Sequence, residues 1–512
     1  MELNDVKETG VDVLVVGAGP TGLALAVDLA RRGVRALVVE KAAGLFPGSR
    51  GKGLQPRTLE VFHDLGVIDE TLASGAPALV GMAWIGGERQ GEHDVFADDL
   101  IEATPDRPYA GRPWMLPQWR TQEILLARLR QLGGDVEFGT AVDALTQDAD
   151  GVTAELSTGR AVRARYAVAA DGGRSTVRAG LGIAMAGEAV DPAPSLVADV
   201  RLAPGALDRD NWQLFPASPE GFLALYPLPG TADFQLQAQF AEAAPDFKVD
   251  LSLDGIRKLV AARTPLAAED VTEVRWASDF RPRTGLADRF RAGRVFLAGD
   301  AAHIHSPAGG QGLNTSVQDA YNLGWKLGLV LRHGAPDALL DTYEEERRPI
   351  AADVLGLSTR VHHGETKRGR ATQQLGLGYR GSSLSVGSAG ALVTGDRAPD
   401  GVVGGVRLFD AFRGPRFTLL AVGVGAGSEA ELPSFEGELA RTVRIAAYDA
   451  YGVGLFLVRP DGYLGWAGQD PAGAEDYLAR LGPRPERNQS PSRRVSTERS
   501  SVTPTDAGTG TA

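Results

Sequence analysis

The sequence predicts an α/β chain in three units: a parallel sheet wound with helices, an antiparallel sheet inserted into it, and a small C-terminal α/β unit. Three observations carry this expectation. The continuous apolar run VDVLVV (11–16) leads straight into GAGPTG and a helical pattern. Residues 186–280 switch to alternating or continuous apolar and aromatic runs separated by Pro/Gly turns. From residue 395 onward a further block of short runs follows: RFTLLAV, VRIAAYDA and LFLVRPDGYLGWA. A chain of 512 residues also exceeds what one hydrophobic core ordinarily spans.

The first element, VDVLVV, suits a strand buried on both faces. Gly17, Gly19 and Gly22 follow in the G-x-G-x-x-G pattern, with Pro20 and Thr21 between them. TGLALAVDLARRG then has helical apolar spacing, with Arg31 and Arg32 in its last turn and Gly33 as its stop. A second strand, RALVVE, ends at Glu40, next to Lys41. Such glycines let a backbone approach a pyrophosphate at the positive end of a helix, and the terminal acid accepts hydrogen bonds from a ribose. The pattern predicts an adenine dinucleotide site and leaves NAD or FAD open.

A second cradle lies far along the chain, at VFLAGDAAHIHSPAGGQGLN (295–314). An apolar strand ends in Gly299-Asp300, Gly309, Gly310 and Gly312 free the backbone amides, and NTSVQDAYNLGWKLGLVL (314–331) continues as a helix. Asp300 at the strand end can hold ribityl hydroxyls. The helix aims its positive end at whatever sits above it, which favours a ring that turns anionic on reduction, as a flavin does. His303 and His305 alternate here and admit three roles: half a metal site, a catalytic base, or packing and hydrogen bonding that shapes the turn. No cysteine and no third ligand at a convincing spacing accompanies them, which favours the last. His362-His363 reads as solvated surface on a polar helical stretch.

In the inserted unit, SLVADVRL, NWQLFPA, GFLALYPLP and DFQLQAQF read as antiparallel strands. Trp212, Phe215, Phe222, Tyr226 and Phe240 either wall a pocket or pack the sheet against its own helices. Pro227 and Pro229 suggest an edge or bulge. Residues 340–375 read as a long helix with a glycine-rich connector after it. The chain thus divides into 10–185 with 281–375, then 186–280, then 390–482, and a polar tail at 483–512 with the composition of a disordered segment. GVGAGS (423–428) imitates a dinucleotide turn, but Ser428 stands where the third glycine belongs and no helix-then-strand-acid pattern follows.

Composition narrows the function from the other side. Fifty-three Lys and Arg against 65 Asp and Glu give a net charge of −12 with the basic residues scattered, so neither nucleic acid nor an anionic membrane is an expected partner. The absence of cysteine excludes disulfides, thiolate metal sites, iron–sulfur clusters and dithiol redox chemistry. MELNDVKETG is polar and acidic, unlike a signal peptide, and no apolar run is long enough to span a bilayer; the expected location is cytoplasmic.

GAGPTG, the Asp171-Gly172 pair in YAVAADGGRSTVR, and GDAAHIHSPAGGQGLN together resemble the three fingerprints of the class A, single-component flavoprotein aromatic hydroxylases. SRGKGLQPRTLEVF (49–62), LPQWRTQEILLARL (116–129) and DTYEEERRPIA (341–351) extend the resemblance over residues 10–360. VRPDGYLGWAG (458–468) is similar to the branch that tailors aromatic polyketides and oxygenates rifamycins.

The resemblance implies FAD lying across both cradles of a Rossmann-like domain. Gly17, Gly19, Pro20, Thr21, Gly22, Glu40 and Lys41 would meet its adenosine and pyrophosphate, and Asp300 its ribityl chain. Arg50 and Gln118 would lie beside the flavin, and Pro307, Gly310, Gly312, Leu313 and Asn314 would face the ring. Asp171 and Gly172 would serve FAD and a transient NADPH or NADH together. The inserted sheet would floor a substrate pocket with Trp212, Phe222, Tyr226 and Phe240 as walls. A thioredoxin-like C-terminal domain without cysteine would serve packing or dimerisation, in a monomer or homodimer. No metal is implied.

The implied reaction consumes NAD(P)H and O2, holds oxygen as a C4a-hydroperoxyflavin shielded from water, and oxygenates a phenolic, polyketide-like substrate. Arg50 and Pro307 are the implied catalytic positions, Arg50 on a glycine-flanked loop that lets the flavin swing. Baeyer–Villiger insertion and antibiotic inactivation use the same chemistry and stay open. The W-x-W-x-I-P stretch of a flavin halogenase is absent. Outside enzymes, the alternative is a protein that binds FAD and ligand without turnover.

Overall fold

The structure, a computed structural model, describes residues 10–96, 100–191, 193–216, 221–240, 247–367, 369–424 and 439–482. β1 (Val11–Val16) is central in an eight-stranded sheet, and five of its six residues are buried, as its sequence, apolar but for Asp12, requires. It pairs in parallel with β2 (Ala36–Glu40) on one side and β3 (Ala161–Ala169) on the other. β3 in turn pairs in parallel with β4 (Val295–Leu297). Because these strands run the same way, the turns after β1, β3 and β4 leave the sheet on one edge. Gly17–Gly22, Asp171-Gly172 and Gly299-Asp300 are brought together there from three distant parts of the chain. α1 (Pro20–Arg31) follows β1 with Pro20 in its first turn, where a missing N–H costs nothing. α2 (Gly312–Arg332) is buried along almost its whole length, and α3 (Asp341–His362) follows it.

The inserted unit is a seven-stranded sheet in the order Val271–Phe280, Ser195–Leu202, Asp233–Gln239, Leu223–Pro227, Trp212–Phe215, Gly81–Ile85 and Glu88–His93. The last two strands come from outside the 186–280 span. Their signal was weak because Glu88–His93 is exposed throughout and carries no apolar alternation. One face packs Leu196, Val200, Leu225 and Leu236 against Ile256 and Val260 of the helix Leu253–Arg263. With a side-chain period of two, Asp199, Tyr226, Gln235 and Gln237 then belong to the opposite face.

The C-terminal unit is a six-stranded mixed sheet, Gly454–Val458 and Leu464–Gly468 at its centre and Phe417–Val422 next to one edge, with the helix Pro471–Leu481 against it. Its strands Gly454–Val458 and Leu464–Gly468 are joined by a turn that carries Arg459 and Asp461 into the first domain. Arg459 donates to Glu346 Oε1 at 2.6 Å and to Asp461 Oδ2 at 2.6 Å, while Lys326 donates to Glu346 Oε2 at 2.7 Å. Burial pushes the Lys326 ammonium down to about 8 against the pull of Glu346. Burial works to raise Glu346, but Arg459 and Lys326 hold it below the usual carboxylate range. A buried ionic joint therefore docks the third unit onto α2 and α3. Residues 425–438, which include most of the GVGAGS stretch, and the 483–512 tail lie outside the described residues. Among the described residues no helix is long and apolar enough to cross a membrane.

Candidate active site

A cavity of about 380 Å³ opens where the carboxyl edge of the first sheet meets the polar face of the second. Of the residues expected at a cofactor, Gly19, Pro20, Thr21, Arg50, Gln118, Gly172, Asp300, Pro307, Gly310, Gly312 and Leu313 line it. Gly17, Gly22, Glu40, Asp171 and Asn314 do not line it, and Lys41 is exposed and also off the wall.

The first cradle is glycine by necessity. Gly17 has φ +106°, and a Cβ there would stand 2.5 Å from the Ala170 carbonyl oxygen; at Gly22 it would stand 1.9 Å from that of Gly17. Gly19 instead has open space where a Cβ would be. Glu40 accepts the N–H groups of Ala18 and Ala42, each at 2.9 Å, and so holds the turn. Asp171 accepts from the Thr176 N–H at 2.9 Å, which leaves Gly172 (φ +84°) on the wall. Neither α1 nor α2 has a side-chain cap at its N-terminus, so their first-turn amides carry unused donor capacity beside the cavity.

The second cradle rests on a buried carboxylate. Asp319 of α2 accepts from the Gly299 N–H at 3.0 Å, from His303 Nε2 at 2.5 Å and from Arg347 Nε at 2.8 Å. Burial works to raise it, but His303 and Arg347 hold it below the usual carboxylate range. His303 donates through Nε2 to Asp319, and its Nδ1 shares a hydrogen bond with His305 Nε2 at 2.9 Å. His305 Nδ1 is buried and without a hydrogen-bond partner, on a residue of the cavity wall. Burial, and next the neighbouring His303, hold His305 well below the usual imidazole range.

Asp300 is open to the cavity yet ringed by protein. Burial in that concave wall pushes its carboxyl up, with His303 and Arg50 opposing. Asn314 is buried one layer back, accepting from the Gln55 N–H and donating to the Gly53 and Gly310 carbonyls at 2.8–2.9 Å. Gln118 Oε1 accepts from the Gly51 N–H at 2.9 Å. Arg50 reaches across to Ser278 Oγ at 3.1 Å, its guanidinium 5.3 Å from the ring centre of Phe46 and 5.7 Å from that of Trp276. The 50–53 loop is thus tied to the helix Gln118–Gln131, to α2 and to the inserted sheet.

On the sheet side, Trp212 and Tyr226 line the cavity, edge to face with centroids 5.1 Å apart. Phe222 and Phe240 do not line it. Phe240 packs on the helix-facing side, 4.6 Å from the Arg263 guanidinium, and the Phe222 carbonyl accepts from the same arginine. Phe215 stacks on Trp84 in that cluster. His362 also departs from the sequence reading: the end of α3 lies against the 303–310 loop, so Nδ1 meets Ser306 Oγ at 3.1 Å and the side chain is only 12% exposed. Lys52, Phe96, Met115 and Gln237 line the cavity and were not singled out. Lys52 stands two places after Arg50 in SRGKG, which could have flagged it; the other three come from separate segments with no shared pattern.

Uncapped helix amides, open space at Gly19, the Asp300 carboxylate and the orphan His305 nitrogen suit a long group with an anionic middle, hydroxyls and a polar ring. These residues fit FAD.

Comparison with known proteins agrees. Residues 10–358 match the FAD binding domain family, and residues 392–485 match the aromatic-ring hydroxylase C-terminal family. A flavin-dependent monooxygenase of Mycobacteroides abscessus is 47% identical over 496 residues, covering 92% of this chain and 99% of that one. A rifampicin monooxygenase of Streptomyces venezuelae is 34% identical over 502 residues, covering 92% and 98%. The crystal structure of aklavinone-11 hydroxylase with FAD and aklavinone superposes with a TM-score of 0.78 at 31% identity, covering 93% and 99%. With the fold, the cradles and these relatives in agreement, the chain belongs to the FAD-dependent aromatic hydroxylases and is an FAD-dependent monooxygenase.

Proposed function

We propose that the enzyme oxygenates a phenolic, polycyclic aromatic of the polyketide type, using NADPH or NADH and O2, as a monomer or homodimer in the cytoplasm. The observation that carries this reading is the composition of the cavity: a flavin cradle on one side and an aromatic wall of Trp212, Tyr226 and Phe96 on the other. FAD, when bound, takes hydride from the nicotinamide and supplies one oxygen atom of O2 to the substrate. The first-turn amides of α1 would hold its pyrophosphate, Asp300 its ribityl hydroxyls, and the Pro307–Leu313 turn its ring. Asn314 and Gln118 position the turns that touch it. Trp212 and Tyr226 exclude water and orient the ring to be oxidised.

Antibiotic inactivation is the second reading, supported by similarity to a rifampicin monooxygenase along nearly the whole chain. One assay covers both: NADPH oxidation by the FAD-loaded enzyme against a panel including rifampicin and anhydrotetracycline, with hydrogen peroxide measured in parallel. Accelerated NADPH loss without matching peroxide supports oxygenation. Complete recovery of reducing equivalents as peroxide with every compound counts against the proposed substrate class.

Arg50 is assigned the part of holding the flavin ring and stabilising its negative charge. Arg50→Ala is expected to slow flavin reduction about tenfold or to divert NADPH to peroxide. Unchanged reduction and coupling in stopped flow would remove that role.

A further inference from the structure

We propose that Lys52 binds the ionisable oxygen of the aromatic substrate and holds it as a phenolate. The inference rests on the aromatic oxygenation reading and names the residue that would activate the ring.

Lys52 lines the sheet side of the cavity, its Nζ 3.7 Å from the centre of the Tyr226 ring. Its position is fixed from behind. Lys52 Nζ donates to Gln235 Oε1, which also accepts from Gln237 Nε2 at 3.0 Å, while Gln235 Nε2 donates to the Ser49 carbonyl. Asp199, 2% exposed and absent from the cavity wall, supplies countercharge behind the lysine. The arrangement puts a cation beside the aromatic wall of the cavity and keeps its carboxylate off that wall. The other titratable groups on the wall are Arg50, Asp300, His305 and Tyr226. Arg50 is the cation assigned to the flavin ring, and Asp300, an acid in the turn Gly299–Ala301, offers a phenolate no countercharge.

The chemistry asks for such a group. Ring oxygenation needs an electron-rich carbon, and a phenolate is richer than a phenol. Beside Lys52 the substrate O–H breaks, its proton passes to water, and the electron pair stays on oxygen facing the ammonium. An opposite charge at hydrogen-bond range in a partly desolvated pocket lowers a phenol's pKa by about one to three units.

The test uses alizarin, 1,2-dihydroxyanthraquinone, whose visible spectrum separates phenol from phenolate. It is titrated against pH on the FAD-loaded protein by difference spectroscopy. In the wild type the bound dye should ionise about one unit or more below free dye. Lys52→Met should return the ionisation to the free value or above and weaken binding of the ionised dye about tenfold, whereas Lys52→Arg should keep most of the shift. FAD content and flavin absorbance certify each variant as folded, and Lys52→Gln replaces the methionine variant should that one lose FAD. Equal ionisation in wild type and Lys52→Met, or no dye binding by the wild type, overturns the proposal. A lysine-dependent shift without oxygenation of any phenol upholds Lys52 as the oxygen-binding residue and removes the oxygenation reading instead.

Discussion

Asp319 and Asp199 are both buried carboxylates behind the cavity, one behind the glycine-rich turns proposed to hold the flavin (the flavin end) and one at the sheet end, and the fold treats them in opposite ways. Asp319 is fully buried and compensated by a backbone amide, an imidazole and a guanidinium, and is held below its usual range. Asp199 is 2% exposed, and its Oδ1 has no hydrogen-bond partner of normal geometry. Burial pushes it up to about 6, with Ser49 and Lys52 offsetting only part. The flavin end is thus preorganised by a closed set of charges, while the sheet end carries a carboxylate whose compensation is incomplete.

The sharpest way to break the flavin end is Arg347→Met. It strips Asp319 of a charged partner and leaves a buried charge undercompensated, at an expected cost of about 3–5 kcal/mol, read as a lowered urea midpoint. Gly22→Ala comes next. A methyl 1.9 Å from the Gly17 carbonyl oxygen forces the turn apart, so the variant should purify with little or no FAD while the other domains stay folded. Full flavin occupancy in Gly22→Ala would contradict the cradle as described.

Asp199→Asn is the smallest effect and has the opposite sign. The folded chain holds this proton more tightly than an unfolded chain, with a pKa of about 6 against 3.8. Stability is therefore lost from this group as pH rises from about 3.8 to about 6, and the loss persists above. The asparagine variant should gain on the order of 1–3 kcal/mol relative to wild type at pH 8 and little at pH 4, read by urea unfolding at the two pH values. A destabilised variant at pH 8 would mean that Asp199 is better compensated by Lys52 than its surroundings indicate.

The same contrast explains what was legible in the sequence. The flavin end is written in backbone requirements. Gly17 and Gly22 tolerate no Cβ, β1 is apolar throughout but for Asp12, and Asp300 follows a strand directly, so short local strings announced them. The sheet end is written in side chains of alternating strands. Trp212 and Tyr226 look no different in sequence from Phe222 and Phe240; register turns Phe240 to the helix-facing side with Leu236 and Ala238, while Phe222 stands before the strand Leu223–Pro227 and misses the cavity. His362 escaped for a related reason. A polar residue at a helix end reads as solvated until the loop packed on it is known, and here Ser306 covers it.

By itself, then, the sequence determined the parallel sheet, the two glycine-rich turns after its strands, the inserted antiparallel strands and the absence of thiol chemistry, because each depends on local backbone geometry or plain composition. Only the tertiary structure decided that strands 81–93 extend the inserted sheet, that Arg459 and Asp461 dock the third unit on Glu346 and Lys326, and that Lys52 stands over Tyr226. Those are meetings of residues tens to hundreds of positions apart. Their energies depend on which charges share a dry environment and which ring faces which cavity, and neither is set until the sheets and helices have packed.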